Sequence, residues 1–328
     1  MSYFTGRLVD SGLAIETTSG TAEAPAYPFQ RTTVTVFEKI EAKDLESTFG
    51  VIDAIIDSYI VKQYSMGNVE GPVYDKSIGE VLAVVFGANP SSSATADGSG
   101  LVYKHTYTRS NANAHKTCTI TEKDSVATRV YAQCGIDKFS VKAAIGEEMT
   151  WNADFMGKKA ATTPAWTPSY AAENPFFSGQ IVVKFADDTT GFGAASDIKA
   201  TSFELNFEKK LQLLYGINDI EPHSTQVNEF RVSGTVELDY LDDTYVTLFK
   251  ANTTKAVQII ATNSKVTIGT SANPIIEFNL HAVKIRDLTP EYGQGTIVKH
   301  TLQLTALYKA ADTATAKAFL TNLTTQYS

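Results

Sequence analysis

Polar and apolar residues alternate along much of the chain, which predicts a mainly antiparallel β protein. Over 202–208, Phe203, Leu205 and Phe207 share one face while polar residues occupy the other, and 230–240 shows the same period. A period of two is typical of half-buried strands. Further strands are predicted over 30–37, 116–121, 129–134, 139–143, 150–156, 179–185, 257–261, 275–285 and 296–307.

Short helices are predicted where apolar residues recur at helical spacing. They cover 44–60, 75–86, 242–252 and 310–322. Asp75 and Asp242 stand at the start of the two middle segments, where an aspartate can cap the first helical turn.

Similar blocks of sequence indicate an internal repeat. Gly67-x-Val69-Glu70 matches Gly234-x-Val236-Glu237 at an offset of 167 residues, and a predicted helix follows each block. Each half then ends with a strand, a glycine-containing turn and a final strand. We therefore predict a tandem duplication, with a first domain over 1–165, a second over 171–328 and a proline-rich linker over about 162–175.

The composition is that of a soluble globular protein. Of the 328 residues, 43% are hydrophobic, and 36 acidic against 28 basic side chains give a net charge of −8. We expect no membrane segment, because every apolar run is far shorter than the roughly 18 residues that a span requires. We expect no secretion signal, because the N-terminus shows no basic segment followed by an apolar one. Two cysteines are too few for a disulfide scaffold, and both features favour assembly in a reducing cytoplasm.

Neither catalytic nor metal-binding motifs are present. The five histidines are not at metal-ligand spacing, and the glycine-rich segment 191–196 precedes a predicted strand instead of the helix that a dinucleotide site needs. Adjacent carboxylates such as Asp187-Asp188 point to opposite faces of a strand. We therefore expect no metal, no cofactor and no enzymatic activity.

The two cysteines are predicted to face each other. If 116–120 and 132–134 form a hairpin that turns near Val126, Cys118 and Cys134 are cross-strand neighbours. Two buried thiols are favoured over a disulfide, given the expected compartment.

One N-terminal segment carries a family resemblance. Residues 11–22, with the pattern Glu16-x-x-x-Gly20-Thr21, resemble the opening of tail tube proteins from long-tailed viruses of bacteria and archaea. Residues 131–141, the block beginning at Gly234, and a closing strand followed by a short helix ending at Asn322 are similar in character.

The resemblance implies a fold and an assembly. The expected fold is mainly β, with tandem tail-tube-type antiparallel β-sandwich or barrel units, each with a short flanking helix. Rings of such units stack into a tube, and their inner sheets join into a barrel around a channel. The expected partners are further copies of the chain, the tape measure protein, tail terminator and tip proteins, and viral DNA passing without specific binding. The location is the virus tail.

The repeat leaves the number of chains per ring open. If the chain holds two units, three chains complete a pseudo-hexameric ring; the alternative is six chains of a single domain with a large insertion. Loops at 72–79, 89–100 and 187–196 are either contacts between rings or plain surface loops.

The strand carboxylates of Glu204, Glu208, Glu237 and Asp239 are candidates to line the channel. An acidic lumen would repel phosphates and let DNA slide; the alternative is an outer surface kept soluble by charge.

A rival interpretation is a carbohydrate-binding or adhesin-type β-sandwich of the virion, for which Trp166 and Tyr170 are the aromatic candidates. An enzyme on a β scaffold is a second rival, without a constellation of residues to support it.

Overall fold

The computed structural model describes residues 5–46, 50, 52–162, 166–295 and 297–328, and within them the mainly β prediction is confirmed. In chain order the strands are β1 (Asp10–Ile15), β2 (Tyr27–Pro28), β3 (Thr33–Val34), β4 (Phe37–Glu46), β5 (Ile55–Pro72), β6 (Ser91–Ala94), β7 (Tyr103–Thr108), β8 (Cys118–Lys123), β9 (Thr128–Ala144), β10 (Thr150–Gly157), β11 (Ala160–Thr162), β12 (Ile181–Ala186), β13 (Asp197–Ile198), β14 (Ala200–Glu208), β15 (Leu211–Leu214), β16 (Ser224–Val227), β17 (Arg231–Asp239), β18 (Lys255–Thr262), β19 (Ile275–Glu291), β20 (Lys299–Ala306) and β21 (Ala316–Asn322). The helices are α1 (Ile78–Phe86) and α2 (Thr244–Lys250). Single 3₁₀ segments occupy Gly6–Leu8, Ser178–Gln180, Thr189–Gly193 and Ala310–Asp312.

Eight strand positions form one antiparallel sheet, which we call the main sheet. Its order is β3 and β4 together, then β5, β10, β9, β14, β17, β20 and the second half of β19. The predicted alternation is found: residues 203, 205 and 207 of β14 are buried and the residues between them are half-buried. The main sheet thus has one apolar and one polar face.

Two further sheets cover the apolar face. One has the order β13, β12, β18, the first half of β19, β21, β7 and β6. The other has the order β2, β1, β8, the first half of β9 and β11. Because β9 and β19 each run from a covering sheet into the main sheet, they tie the layers together. Residues of all three sheets and of α1 share one hydrophobic core.

The order of pairing in the first half of the chain recurs in the second. The first half pairs β1, β8, β9, β10 and β5 in that order, and the second pairs β12, β18, β19, β20 and β17. Helix α1 follows β5 and helix α2 follows β17. The two halves meet where β9 pairs with β14, and β7 of the first half also pairs with β21 of the second.

The segment between the halves lacks regular structure where it is described. Residues 163–165 of the predicted linker lie outside the described residues, and 166–174 form neither strand nor helix. Pro175 and Phe177 bridge back to Tyr74 and Glu148 of the first half, so the end of the segment is held against the core.

The predicted helix at 44–60 is wrong. Residues 37–46 and 55–72 form the hairpin of β4 and β5 instead, while 47–49 and 51 lie outside the described residues. Ile55, Ile56 and Tyr59 have the branched or aromatic side chains that favour strands, and this preference prevails over their helical spacing.

The predicted helix at 310–322 is also wrong. After one 3₁₀ turn the chain forms β21, in which Ala316, Ala318 and Leu320 are buried. Hydrogen bonding to β19 on one side and to β7 on the other prevails over the helix propensity of alanine. The other two predicted helices are confirmed as α1 and α2, although Asp75 accepts hydrogen bonds from Asn174 and does not cap its helix.

Candidate assembly and channel surfaces

The four predicted channel carboxylates lie on the polar face of the main sheet. Glu204 and Glu208 are on β14, and Glu237 and Asp239 are on the neighbouring β17. Strand alternation places all four on the side opposite the buried core residues. The prediction thus identified one face of one sheet.

Basic side chains share this face. In the register of the sheet, Lys142 stands opposite Glu204 and Lys138 opposite Glu208. Lys299 donates to Glu237 at 2.5 Å, and this hydrogen bond lowers the pKa of the Glu237 carboxyl. The polar face of the main sheet therefore carries both acidic and basic side chains. The basic partners come from β9 and β20, far away in sequence, so sequence reasoning about β14 and β17 missed them.

Beyond the main sheet, the β4–β5 hairpin exposes an unusual number of apolar side chains. Residues 65–72 of β5 pair with β10, whereas 55–64 pair with β4 alone among the described strands. Large apolar side chains on the hairpin are 43–102% exposed: Phe37, Ile40, Leu45, Ile52, Ile55, Ile56, Tyr59 and Ile60. A concentration of exposed apolar side chains of this kind often marks an interaction site.

A second extension lies at the same end of the main sheet. The hairpin of β15 and β16 follows β14 there, and its loop contacts the base of the first hairpin, since the Gln63 amide donates to the Ile220 carbonyl at 2.7 Å. We call this end of the main sheet the hairpin end.

The opposite end, which we call the far end, also carries exposed apolar residues. They lie just outside the ends of β9, β17, β19 and β20 and are Ile145, Leu241, Tyr292 and Ile297. The two ends therefore carry different apolar surfaces. Such surfaces suit head-to-tail contacts between copies.

Open strand edges bound the main sheet on both sides. Among the described strands, none pairs with the outer edge of β4 or with the outer edge of the second half of β19. Long unpaired edges are templates for pairing with another chain.

One of the three loops predicted as ring contacts, 72–79, is not free, whereas 89–100 and 187–196 are mostly exposed or half-exposed. Val73, Tyr74, Asp75 and Gly79 of segment 72–79 are buried, so this segment is wrong as a surface loop. Tyr327 packs directly against Gly79, at the end of this segment. Segment 187–196 forms a 3₁₀ turn that buries Phe192, and part of 89–100 is β6.

The glutamate of the N-terminal pattern has a structural role. Glu16 is buried, and its carboxylate accepts hydrogen bonds from the Gly20 amide, the Thr117 and Thr119 hydroxyls and the Gln133 amide. These bonds fasten the N-terminal segment to β8 and β9. The hydrogen bond from the Gly20 amide to Glu16, four residues earlier, closes the local turn.

A group of carboxyls surrounds the start of α1. Glu80 is buried, and burial raises its pKa well above the usual range. Burial also raises the pKa of Glu173 to about 7, while Ser77 donates to its carboxylate at 2.8 Å. The Tyr327 hydroxyl nearby accepts from Asn322 and donates to the Lys76 carbonyl. The group ties the segment between the halves and the C-terminus to α1.

The cysteines lie where the sequence predicted. Cys118 of β8 pairs in register with Cys134 of β9, and both are buried free thiols. Burial raises the pKa of Cys134 to about 12, so the thiol is unreactive at neutral pH.

The remaining candidate features are a metal site, the two aromatic residues of the adhesin interpretation and a membrane-spanning helix. Within the described part of the chain, no three His, Cys, Asp or Glu side chains converge as a metal site would require. Tyr170 of the rival adhesin interpretation donates its hydroxyl to Asp10 at 2.5 Å, and Trp166 is half-buried. Among the same residues, neither helix is long and apolar enough to cross a membrane.

Comparison with known proteins agrees with the resemblance seen in the N-terminal pattern. The family model for phage tail tube proteins matches residues 6–306, nearly the whole chain. No curated protein matches the chain significantly. The chain belongs to the phage tail tube protein family and is a structural component of the virion tail.

Proposed function

We propose that the protein assembles into rings that stack as the tail tube, and that viral DNA passes through the channel. The observation that carries this proposal is the main sheet, which has a solvated polar face, a covered apolar face and two open edges. Sheets that join edge to edge around a ring remove their exposed edges and enclose a polar channel.

The recurring order of pairing supports a tandem duplication. The β5, β10 and β9 positions of the first half correspond to β17, β20 and β19 of the second, and β3 with β4 corresponds to β14. Each half then supplies four strand positions to the main sheet. We place the boundary of the two units in the segment after β11.

Two units per chain favour three chains per ring over six. Three chains supply roughly 24 strands, more than the barrels of about 16–18 strands that already enclose a water-filled channel. Because an even number of strands alternates in direction across each chain, the first strand of one copy meets the last strand of the next in antiparallel orientation. A closed ring follows without a parallel pair.

The two ends of the main sheet suit stacking of the rings. The β4–β5 hairpin projects its apolar residues from the hairpin end, and the far end presents Leu241 and Tyr292. Head-to-tail stacking buries both surfaces and continues indefinitely, as a tube requires. The terminal rings leave one such surface free for the tail terminator or the tip proteins.

The polar face of the main sheet is the proposed channel lining. Glu204, Glu208, Glu237 and Asp239 repel phosphates there, while Lys138 and Lys142 moderate the repulsion. A lining of mixed charge gives DNA few sites at which many phosphates bind together. The tape measure protein occupies the same channel before DNA does.

Electron microscopy of the purified protein tests this function. The unchanged protein is expected to form rings and tubes, and the double variant Ile55→Lys with Ile60→Lys is expected to stop at single rings. The conservative pair Ile55→Val with Ile60→Val serves as the control and should elongate. A protein that stays monomeric at high concentration, even with tail partners added, would contradict the proposal.

A further inference from the structure

The β9–β14 junction shows how the two halves join within the chain. The Ile145 amide donates to the Thr201 carbonyl at 3.0 Å, and the Lys209 amide donates to the Asp137 carbonyl at 2.8 Å. These two bonds determine which residue pairs along the junction are hydrogen-bonded and which are not. The pairs Lys138 with Glu208, Ser140 with Asn206 and Lys142 with Glu204 are therefore the non-hydrogen-bonded ones, whose side chains are closest.

The register of β19 follows from that of β9. Glu70 pairs with Asn152, which pairs with Ser140. In the second half Glu237, the repeat equivalent of Glu70, pairs with Thr301, which pairs with Thr289. Thr289 thus occupies the place of Ser140.

A shared irregularity supports this alignment. The pairing of β9 with β10 skips Asp137, next to Lys138, and the pairing of β19 with β20 skips Arg286, next to Asp287. Both bulges fall at the same distance from the aligned pair of Ser140 and Thr289. Asp287 thus occupies the place of Lys138.

The other edge aligns in the same way. Glu70 pairs with Thr33, and Glu237 pairs with Ser202, so Thr33 corresponds to Ser202. The equivalence continues along β4 and β14 at the same spacing. Phe37 therefore corresponds to Asn206, and Lys39 corresponds to Glu208.

We infer that neighbouring copies join through β4 of one and the second half of β19 of the other in the register of the β9–β14 junction, so that Lys39 faces Asp287 and Phe37 faces Thr289. This inference rests on the ring assembly proposed above and adds its register. The charge pair of Lys138 and Glu208 recurs with its signs exchanged. Neither Lys39 nor Asp287 has an ion-pair partner among the described residues, and opposite charges on facing positions favour the correct register.

One difference makes the junction between copies weaker than the junction within the chain. Val141 lies at a hydrogen-bonded position of the internal junction, and its equivalent in β19 is Pro290. Proline has no amide hydrogen, so the junction between copies lacks one ladder bond. Proline on an edge strand also discourages pairing with unrelated strands.

Charge reversal tests the facing pair. Lys39→Asp or Asp287→Lys alone places like charges opposite each other and is expected to raise the concentration needed for ring formation about tenfold, which corresponds to about 1.4 kcal/mol per junction. The combined variant is expected to restore assembly. Lys43→Asp, on the exposed part of the same strand, is the matched control and should leave ring formation unchanged.

Thiol cross-linking tests the register itself. Phe37→Cys with Thr289→Cys is expected to give covalent dimers and trimers with a short bifunctional thiol reagent, because the native cysteines are buried. The pair Lys39→Cys with Glu291→Cys is displaced by four residues, about 13 Å, and should not react. Rings that form without the first cross-link, or with the second instead, overturn the register but leave the proposed function standing. Absence of rings from the unchanged protein overturns the proposed function.

Discussion

Helices α1 and α2 follow equivalent strands and begin in similar sequence blocks, yet their surroundings differ. Every residue of α1 is buried, whereas no residue of α2 is fully buried. The C-terminal segment covers α1, with Tyr327 against Gly79. Helix α2 instead borders an open cleft lined by Phe185, Tyr245 and Leu248.

Under the proposed duplication, the same structural block has a buried helix in one half and an accessible helix in the other. In the first half the helix belongs to the core, and the segment between the halves and the C-terminus close over it. In the second half the helix and its cleft stay accessible at the far end, next to Leu241. We expect the first helix to determine folding stability and the surroundings of the second to determine assembly.

Core truncation gives the largest contrast between the helices. Leu82→Ala in α1 removes a fully buried side chain and should lower the free energy of unfolding by about 2–5 kcal/mol. Phe249→Ala, at the equivalent position of the half-buried α2, should cost about 1–2 kcal/mol. Urea denaturation of the two variants measures both losses in the free energy of unfolding. Equal losses would contradict the difference between α1 and α2.

Added volume at the covered helix gives a smaller loss. A Cβ at Gly79 would lie 2.2 Å from Cζ of Tyr327, so Gly79→Ala should cost about 1–3 kcal/mol despite the better helix propensity of alanine. Val246→Ala, which places the same residue at the equivalent position of the half-buried α2 and creates no clash there, should cost less than about 1 kcal/mol. In a Tyr327→Ala background the penalty of Gly79→Ala should disappear; a penalty that persists would show that Tyr327 is not its cause.

The buried Glu173 carboxyl, in the segment that covers α1, gives the stability of the protein a pH dependence. Burial raises the pKa of Glu173 from 4.5 to about 7, so the folded state binds its proton more tightly than the unfolded state. This contribution to stability is complete below pH 4.5 and is lost as the pH rises to about 7. Glu173→Gln should flatten the decline in stability over that interval, measured by thermal unfolding. Glu46→Gln on the exposed hairpin is the control, and an unchanged decline in Glu173→Gln would refute the assignment.

Changes near α2 should affect stability least. Leu241→Ser removes an exposed side chain and should alter the free energy of unfolding by less than about 0.5 kcal/mol. Sedimentation should nevertheless show that tube elongation is impaired, since Leu241 lies on the proposed stacking surface. Normal elongation would remove this residue from that surface.

The sequence predicted much of the fold because a main sheet with one buried face imposes strict alternation, as at Phe203, Leu205 and Phe207. It failed at the β4–β5 hairpin, where both faces are exposed and the apolar residues follow no single period. It also failed at β21, since Ala316 and Ala318 become strand residues through pairing with β7, more than 200 positions away. The carboxylates of β14 and β17 were found by alternation, but Lys138 and Lys299 join them only through the sheet's register.

Cryo-electron microscopy of the assembled tube would show whether each chain carries two equivalent units. We expect rings of three chains, each supplying eight strands to one continuous barrel, with β4 paired to β19 of the neighbouring copy. Rings of six chains, or a barrel to which only one half of each chain contributes, would contradict this expectation.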